Sequence, residues 1–415
     1  MRRPLFYGWV IVAAAFAVSV LGYGVQYSFG VFLKPLALDF QWSRAATAGA
    51  FAAFTIGRGV YGIVMGAMTD RYGPRVVVGA GALLMGMGMM LTAAISELWH
   101  LYLIYAFLIG GGVAAVYVPL TATLSRWFHT RLGLALGFLN AGAGVGMVAM
   151  SPLVGVLTSF YGVRTGYLAI GGAVLILALL CAQVLRKEPA AMGLQPYGYP
   201  AALERGSGQA KPSPGQNEEL PGLTFKQALG TRSFQALAVI AFMFDVCLFT
   251  VLINIVAHAT DLGISPLAAP TILSVVGGFF IVGVLVVGNA SDRLGHTKLL
   301  AFCILLQAAS VLWLTSLKSF GLFCLFGALL GFCYGGIRVT LAGVSAHFFG
   351  TRCLGPIFGT IIASALVGAA VGSVLGNVVY ELTRPHSYTL AFWMVGGALL
   401  ASSVLFLALR KPGAA

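Results

Sequence analysis

Long apolar runs are the feature of this sequence that most constrains its fold. Hydrophobic stretches long enough to cross a bilayer, which takes about 20 residues as a helix, recur along the 415-residue chain without polar and apolar residues alternating. Within the bilayer core every backbone polar group needs a partner in the protein, so only helices and closed barrels cross it. Barrel strands require alternation. The runs therefore predict membrane-spanning helices.

Charged residues are too scarce to cover a water-soluble protein. Asp, Glu, Lys and Arg make up 8% of the chain, whereas soluble domains contain about 25%. The sequence thus predicts an all-α integral membrane protein with twelve transmembrane helices. The predicted spans lie near 7–33, 45–67, 75–95, 100–126, 132–158, 165–185, 231–258, 266–289, 297–317, 320–347, 353–380 and 387–409.

One long polar stretch divides these runs into two sets of six. It covers residues 186–230 and is rich in Pro, Gly, Ser, Gln and Glu, a composition typical of linkers. We expect an N-terminal six-helix bundle over 1–185, a cytoplasmic linker over 186–230 and a C-terminal six-helix bundle over 231–415.

The distribution of basic residues argues against a nucleic-acid partner, which a net charge of +13 would otherwise suggest. With a cytoplasmic N-terminus and twelve crossings, 17 of the 24 Lys and Arg residues fall on the cytoplasmic side and five on the other. This asymmetry follows the positive-inside rule. We therefore expect a multi-pass membrane protein with both termini cytoplasmic. We also expect the membrane to be a prokaryotic plasma or inner membrane and the protein to act as a monomer.

The two sets of helices contain an internal repeat. The segment from Gly66 to Arg75, GAMTDRYGPR, follows the second run, and GNASDRLG, from Gly288 to Gly295, follows the eighth at an offset of 222 residues. The Gly133–Gly137 spacing recurs at the same offset, and neighbouring landmarks recur at 221 residues. Repeats of this kind are typical of transporters.

The first of these segments resembles the GxxxDRxGxR loop of the major facilitator superfamily. That resemblance spans the whole chain and implies two six-helix bundles related by a pseudo-twofold axis. In the superfamily, the loop latches the cytoplasmic ends of the two bundles when the protein is open to the outside. The resemblance therefore implies a gating role, with plain solvated loop charge remaining an alternative for Arg75. The gating candidates are Asp70, Arg71, Arg75, Asp292 and Arg293.

Three further segments resemble the monocarboxylate transporter group, which includes oxalate/formate antiporters. They are FYGWV from Phe6, KPL from Lys34 and FQWSRA from Phe40. This likeness implies proton symport of a small organic anion, most simply a monocarboxylate such as lactate or pyruvate. Exchange of a dicarboxylate against a monocarboxylate is the alternative. The chain lacks the Arg that this group typically carries in helix 8 and the Lys that oxalate transporters carry in helix 11.

Three ionisable side chains lie deep within predicted spans: Arg58, Asp245 and Arg338. Such residues are costly in a bilayer and by default face an aqueous cavity or a charged partner. Their charges sum to +1 with Asp245 ionised, which favours an anionic substrate, and each guanidinium matches a carboxylate. We expect Arg58 and Arg338 to bind substrate and Asp245 to carry a proton. A permanent Asp245–Arg338 pair within the C-terminal bundle is the alternative, as is a structural lock for Arg58.

Polar side chains in the predicted spans complete the candidate binding site. No nucleophile with a base, and no metal-ligand spacing, occurs at membrane depth, so we expect neither an enzyme nor a bound metal or cofactor. Tyr117 is the counterpart of Arg338 in the repeat, and Phe280 is the counterpart of Arg58. The candidates that support Arg58 and Arg338 in binding substrate are Gln26, Tyr27, Tyr117, Asn140, Asn254, Tyr334 and Asn377.

Overall fold

The computed structural model describes residues 6–198, 224–350 and 354–407. Ten helices in this described part are long and apolar enough to cross a membrane. One of them, Leu132–Val184, has 53 residues, and Gly162 within it is non-helical, with φ 83° and ψ 167°. Because about 20 residues suffice for one crossing, this element is two helices joined at Gly162. With the shorter apolar helix near the C-terminus, the described residues form twelve.

The predicted all-α membrane fold is confirmed. Of the linker, residues 199–223 lie outside the described residues, and the described ends contain the short helices Pro189–Met192 and Phe225–Leu229. The membrane helices are α1 Tyr7–Asp39, α2 Arg44–Tyr72, α3 Pro74–Thr92, α4 Leu98–Trp127, α5 132–161, α6 163–184, α7 Arg232–Asp261, α8 Ala269–Leu294, α9 His296–Leu314, α10 Phe320–Phe349, α11 Leu354–Leu382 and α12 Thr389–Leu407.

The repeat extends to the backbone conformation of two turns. Gly73 separates α2 from α3 with φ 82°, and Gly295 separates α8 from α9 with φ 89°. Both angles lie in the region that a side chain with a Cβ rarely adopts, and the two glycines are 222 positions apart. The positive φ at both turns explains why a glycine ends the DR segment in both bundles.

Helix pairs recur between the two bundles as the repeat predicts. In the first bundle α1 packs along α5, α2 along α4 and α3 along α6. In the second, α7 packs along α11, α8 along α10 and α9 along α12. Three pairs join the bundles: α1 with α7, α2 with α11 and α5 with α8. In the last of these, Ser274 Oγ donates a hydrogen bond to the carbonyl of Val148 at 2.9 Å.

The two ends of this assembly differ in their number of Lys and Arg residues. We call the end where α2 and α8 finish, beside Arg71 and Arg293, the basic face. The other end, where α1 and α7 finish at Asp39 and Asp261, we call the opposite face.

Candidate functional site

A cavity of about 410 Å³ lies between the two bundles. Its walls come from α1, α2, α4 and α5 of the first bundle and from α7, α8, α10 and α11 of the second. All three deep ionisable residues, Arg58, Asp245 and Arg338, line it. The structure thus brings together in one space the charges that the sequence places far apart along the chain.

Five of the polar candidates also line the cavity: Gln26, Tyr27, Tyr117, Asn140 and Tyr334. Gln26 and Tyr27 are neighbours in sequence, yet both line the cavity. Tyr23 lies three residues before Gln26 and four before Tyr27, so all three share one face of α1. The first bundle therefore presents a polar wall.

Asn254 and Asn377 are not among the residues that line this cavity. Asn254 is fully buried, and its amide nitrogen donates to the Thr250 carbonyl at 2.8 Å. Asn377 accepts a hydrogen bond from the Tyr388 hydroxyl at 3.1 Å. Asn254 lies roughly 13 Å beyond Asp245 along α7, at about 1.5 Å per residue. The structure therefore does not bring these two residues into the cavity: both lie past it, in the packing toward the opposite face.

Asp245 and Arg338 form an ion pair at the cavity wall. Arg338 Nη2 lies 2.7 Å from Oδ1 and 3.1 Å from Oδ2 of Asp245. The Asp245 side chain is almost fully buried, whereas that of Arg338 retains 27% exposure. The guanidinium also lies 5.3 Å from the ring centroid of Tyr334, within cation–π range. The pair that the structural alternative requires is formed, but it faces the cavity, so a role in transport remains open to it.

Arg58 is held by polar and aromatic neighbours and has no acidic partner. Its Nη1 donates to Gln26 Oε1 at 2.6 Å, and its Cζ lies 5.8 Å from the Tyr23 ring centroid. Among the described residues no carboxylate comes within 4.0 Å of it in an ion pair. A guanidinium has five N–H donors, so Arg58 can bind a carboxylate while keeping Gln26. It gives the cavity its uncompensated positive charge.

The internal repeat relates the residues that line the two walls of the cavity. Positions 221 or 222 residues apart occupy matching places on the two walls, which puts the cavity on the pseudo-twofold axis. Our sequence reasoning missed Phe249 and Ile362, although the repeat offset, applied to Tyr27 and Asn140, points to both. The matched lining pairs are Tyr23 with Asp245, Tyr27 with Phe249, Arg58 with Phe280, Tyr117 with Arg338 and Asn140 with Ile362.

Asp261 joins the two bundles at the opposite face. Its carboxylate, at the end of α7, lies 2.6 Å from Lys34 Nζ of α1 and 2.6 Å from Arg44 Nη1 of α2. Arg44 Nη2 adds a contact of 3.1 Å to the same carboxylate. A single acidic residue of the second bundle therefore bridges two cations of the first, a contact that the sequence analysis did not predict.

Further contacts close the space between the cavity and the opposite face. The backbone N–H of Ala45 donates to Glu381 Oε1 at 2.8 Å, and Arg44 Nη1 donates to the Tyr388 hydroxyl at 3.0 Å. Burial raises the pKa of Tyr388, which keeps this phenol neutral beside Arg44. Deeper in, the hydroxyls of Tyr27 and Tyr334 hydrogen-bond across the bundles at 2.7 Å. This last contact forms the cavity floor.

The gating candidates of the first bundle find partners in that bundle and at the start of the linker. Asp70 Oδ1 accepts from Arg126 Nη2 at 2.6 Å, and its backbone carbonyl accepts from Lys187 Nζ at 2.6 Å. Arg75 donates to Gln183. Arg71 stacks near the Tyr72 ring, 5.3 Å from its centroid.

In the second bundle Arg293 is exposed, and the side chain of Asp292 lies outside the described part of the structure. The cavity lining extends from Tyr27 at the floor to Phe358, near the start of α11 at the basic face, and Tyr117 in its wall is 40% exposed. The cavity is therefore reached from the basic face.

We expect Asp261→Asn to shift the protein toward a state open at the opposite face, because Lys34 and Arg44 lose their shared carboxylate. A partly exposed network of this size contributes about 1 kcal/mol, which is roughly a fivefold change in the conformer ratio. Spin labels at Leu38 and Leu262, both exposed at that face, would report a larger fraction of long distances. Asp39→Asn is the matched control, since Asp39 is exposed at the same face and forms none of these bridges. Identical distance distributions for the two variants would contradict the expectation.

Comparison with known proteins identifies the family. The sequence model of the Major Facilitator Superfamily matches residues 12–244 and 235–415. The chain belongs to the Major Facilitator Superfamily. The predicted resemblance is thus confirmed, and the chain is a multi-pass membrane protein of this superfamily.

Several relatives in this superfamily are monocarboxylate transporters. Monocarboxylate transporter 13 of Bos taurus is 31% identical over 287 residues, which cover 69% of this chain and 62% of the relative. Monocarboxylate transporter 11 of Mus musculus is 37% identical over 47% of this chain and 43% of its own length. The chain thus spans less than two thirds of these two relatives. Monocarboxylate transporter 4 of Rattus norvegicus is 24% identical over 97% of this chain and 82% of its own length.

Solved structures of the superfamily share the fold at low identity. A bacterial homologue of the human lysosomal transporter Spinster, solved inward-facing and unoccupied, matches with a TM-score of 0.72 and 13% identity over 98% of this chain and 96% of its own. The nucleoside transporter NupG matches with a TM-score of 0.75 and 12% identity over 96% of this chain and 99% of its own. At these identities the likeness shows the fold alone.

Proposed function

We propose that this transporter moves a small organic monocarboxylate, of the lactate or pyruvate type, in symport with a proton. The observation that carries the proposal is that Arg58 lines the central cavity and has no carboxylate partner among the described residues. The relatives named monocarboxylate transporters support the substrate class.

The substrate carboxylate binds Arg58 through a charge-assisted hydrogen bond, the strongest kind available to it. Gln26 holds the guanidinium in place by accepting a hydrogen bond from Arg58 Nη1. Tyr117 and Asn140 offer further hydrogen-bonding groups on the same wall for a hydroxyl or oxo group next to the carboxylate.

The proton binds Asp245. Protonation removes the charge that holds Arg338, so the guanidinium becomes free to bind the substrate from the second bundle. Anion and proton therefore bind together, and Arg58 and Arg338 draw the two bundles around the same carboxylate. Besides Arg338, the groups of the cavity that face this pair are Arg58 and the phenols of Tyr23, Tyr27, Tyr117 and Tyr334.

Transport proceeds by alternating access, as the bundles 1–185 and 231–415 rock about the cavity while the linker 186–230 connects them on the cytoplasmic side. The basic face is the cytoplasmic face of a prokaryotic plasma or inner membrane, and the protein works as a monomer. The Asp261 bridges break when the cavity opens outward. The latch of that other state comes from the basic-face residues Asp70, Arg71, Arg75, Asp292 and Arg293.

Uptake into proteoliposomes tests this proposal. With an acidic exterior and empty vesicles, we expect labelled lactate or pyruvate to accumulate, at roughly tenfold per pH unit of gradient because one unit is worth about 1.4 kcal/mol per proton. Formate and oxalate serve as comparison substrates, and protein-free liposomes are the control. Uptake that needs preloaded internal anion and ignores the pH gradient would replace symport by exchange. No uptake of any of the four anions would refute the proposal.

A further inference from the structure

The two walls of the cavity differ in chemistry. The first bundle presents the polar groups already described, whereas the second presents mostly hydrocarbon. We call the latter the apolar wall. It consists of Phe249, Phe280, Val284, Ile362 and Leu366.

The apolar wall stands at the level of Arg58. Leu366 Cδ1 lies 3.4 Å from the place that a Cβ on Gly59 would occupy, so it packs against the helical turn that carries Arg58. Phe280 is the repeat counterpart of Arg58, and its ring centroid is 4.7 Å from that of Tyr334 at the cavity floor. A molecule bound by its carboxylate to Arg58 therefore extends toward these rings and branched side chains.

The cavity has room for more than a three-carbon acid. Its volume of about 410 Å³ lies within the range of about 300–1,000 Å³ found for pockets that bind drug-sized ligands. A carboxylate with one or two further carbons leaves much of the apolar wall in contact with water, which is unfavourable. A longer hydrocarbon tail displaces that water.

We propose that the preferred substrates are monocarboxylates whose apolar tail is longer than the two carbons attached to the carboxylate of lactate or pyruvate. This inference rests on the proposed function, and it places the preferred substrates among monocarboxylates longer than lactate and pyruvate. The carboxylate sits on Arg58 and the tail lies on the apolar wall. Dicarboxylates are disfavoured because their second charge would be placed against hydrocarbon.

Binding of a homologous series tests the inference without requiring transport. Purified protein in detergent would be incubated with labelled hexanoate, and unlabelled straight-chain acids from acetate to hexanoate would compete for it. Because each buried methylene strengthens binding about fourfold, we expect the competing concentration to fall by about that factor at each step. Equal potency along the series, or no binding of hexanoate, would overturn the inference. It would then follow that the apolar wall serves only to pack against the first bundle in the other conformation.

A pair of neighbouring phenylalanines provides the matched variants. Phe280 lies in the cavity wall, whereas Phe279 is 43% exposed on the outside of α8 and does not line the cavity. We expect Phe280→Ala to reduce the gain in affinity from acetate to hexanoate by about tenfold, since the lost aromatic ring is one part of the apolar surface that the tail covers. Phe279→Ala should show the same increase in affinity with chain length as the wild type. The same change in both variants would also overturn the inference.

The inference and the proposed function fail in distinguishable ways. If lactate and pyruvate accumulate in the vesicles but potency does not rise along the series, the inference is wrong and the proposed function stands. If no monocarboxylate is bound or moved, both are wrong.

Discussion

Replacing Arg58 by Gln is expected to abolish uptake of monocarboxylates. The variant removes the one cation of the described cavity lining that has no carboxylate partner. Removing one partner of a buried, hydrogen-bonded charge pair costs about 3 kcal/mol, or roughly a hundredfold in affinity for the anion. The measurement is the concentration dependence of labelled uptake, normalised to the amount of protein in the membrane.

Two further variants sharpen this test. Arg58→Lys keeps the positive charge but loses the fork of donors, so we expect it to recover part of the uptake. Arg164→Gln removes an exposed arginine at the opposite face, which lies over the Phe40 ring and outside the cavity; uptake should remain as in the wild type. If Arg58→Gln transports like Arg164→Gln, Arg58 is only the structural lock that the sequence left as an alternative.

Replacing Asp245 by Asn is expected to uncouple transport from the proton. Asn keeps the shape of the side chain but cannot bind a proton. The variant therefore cannot release Arg338 by protonation. Accumulation driven by a pH gradient, worth roughly tenfold per unit in the wild type, should disappear. Exchange of labelled external for unlabelled internal substrate should continue, because Arg58 still binds the anion.

Loss of the pair could also unfold the protein, since an unpaired charge left at a partly buried site is destabilising. The double variant Asp245→Asn with Arg338→Gln removes both charges and so controls for this cost. If the pair is purely structural, the double variant should restore accumulation driven by the pH gradient. If it carries the proton, the double variant should be folded, as judged by its melting temperature in detergent, and remain uncoupled.

The helices and the deep charges could be predicted from the sequence because both are local properties. A span needs only enough consecutive apolar residues. A charge within such a span must face water or a partner, which is why Arg58, Asp245 and Arg338 all line the cavity. The repeat offset adds long-range information, since it relates the two walls without any knowledge of the fold.

Polarity within a span proved a weaker guide than charge. Asn254 donates its amide to the backbone carbonyl four residues earlier, and Asn377 does the same toward Ser373. Such local bonds satisfy part of a polar side chain without any cavity. An Asn in a membrane helix therefore does not by itself indicate a binding site.

The apolar wall and the Asp261 bridges could not be predicted from the sequence, for physical reasons. Phe279 and Phe280 are identical side chains on one helix, yet one is exposed on the outside of the fold and the other faces the cavity. Lipid and cavity walls both accept hydrocarbon, so composition does not separate them. The contacts of Asp261 with Lys34 and Arg44 depend on how the two bundles meet, which no local pattern records.

Simultaneous recording of anion uptake and proton entry measures the coupling between substrate and proton. Proteoliposomes would contain a pH-sensitive dye, be clamped at zero membrane potential and receive labelled substrate from outside. We predict that a proton enters with each anion in the wild type, and that Asp245→Asn exchanges anions without any change in internal pH. Proton entry at the wild-type ratio in Asp245→Asn, or anion accumulation without protons in the wild type, would contradict the account.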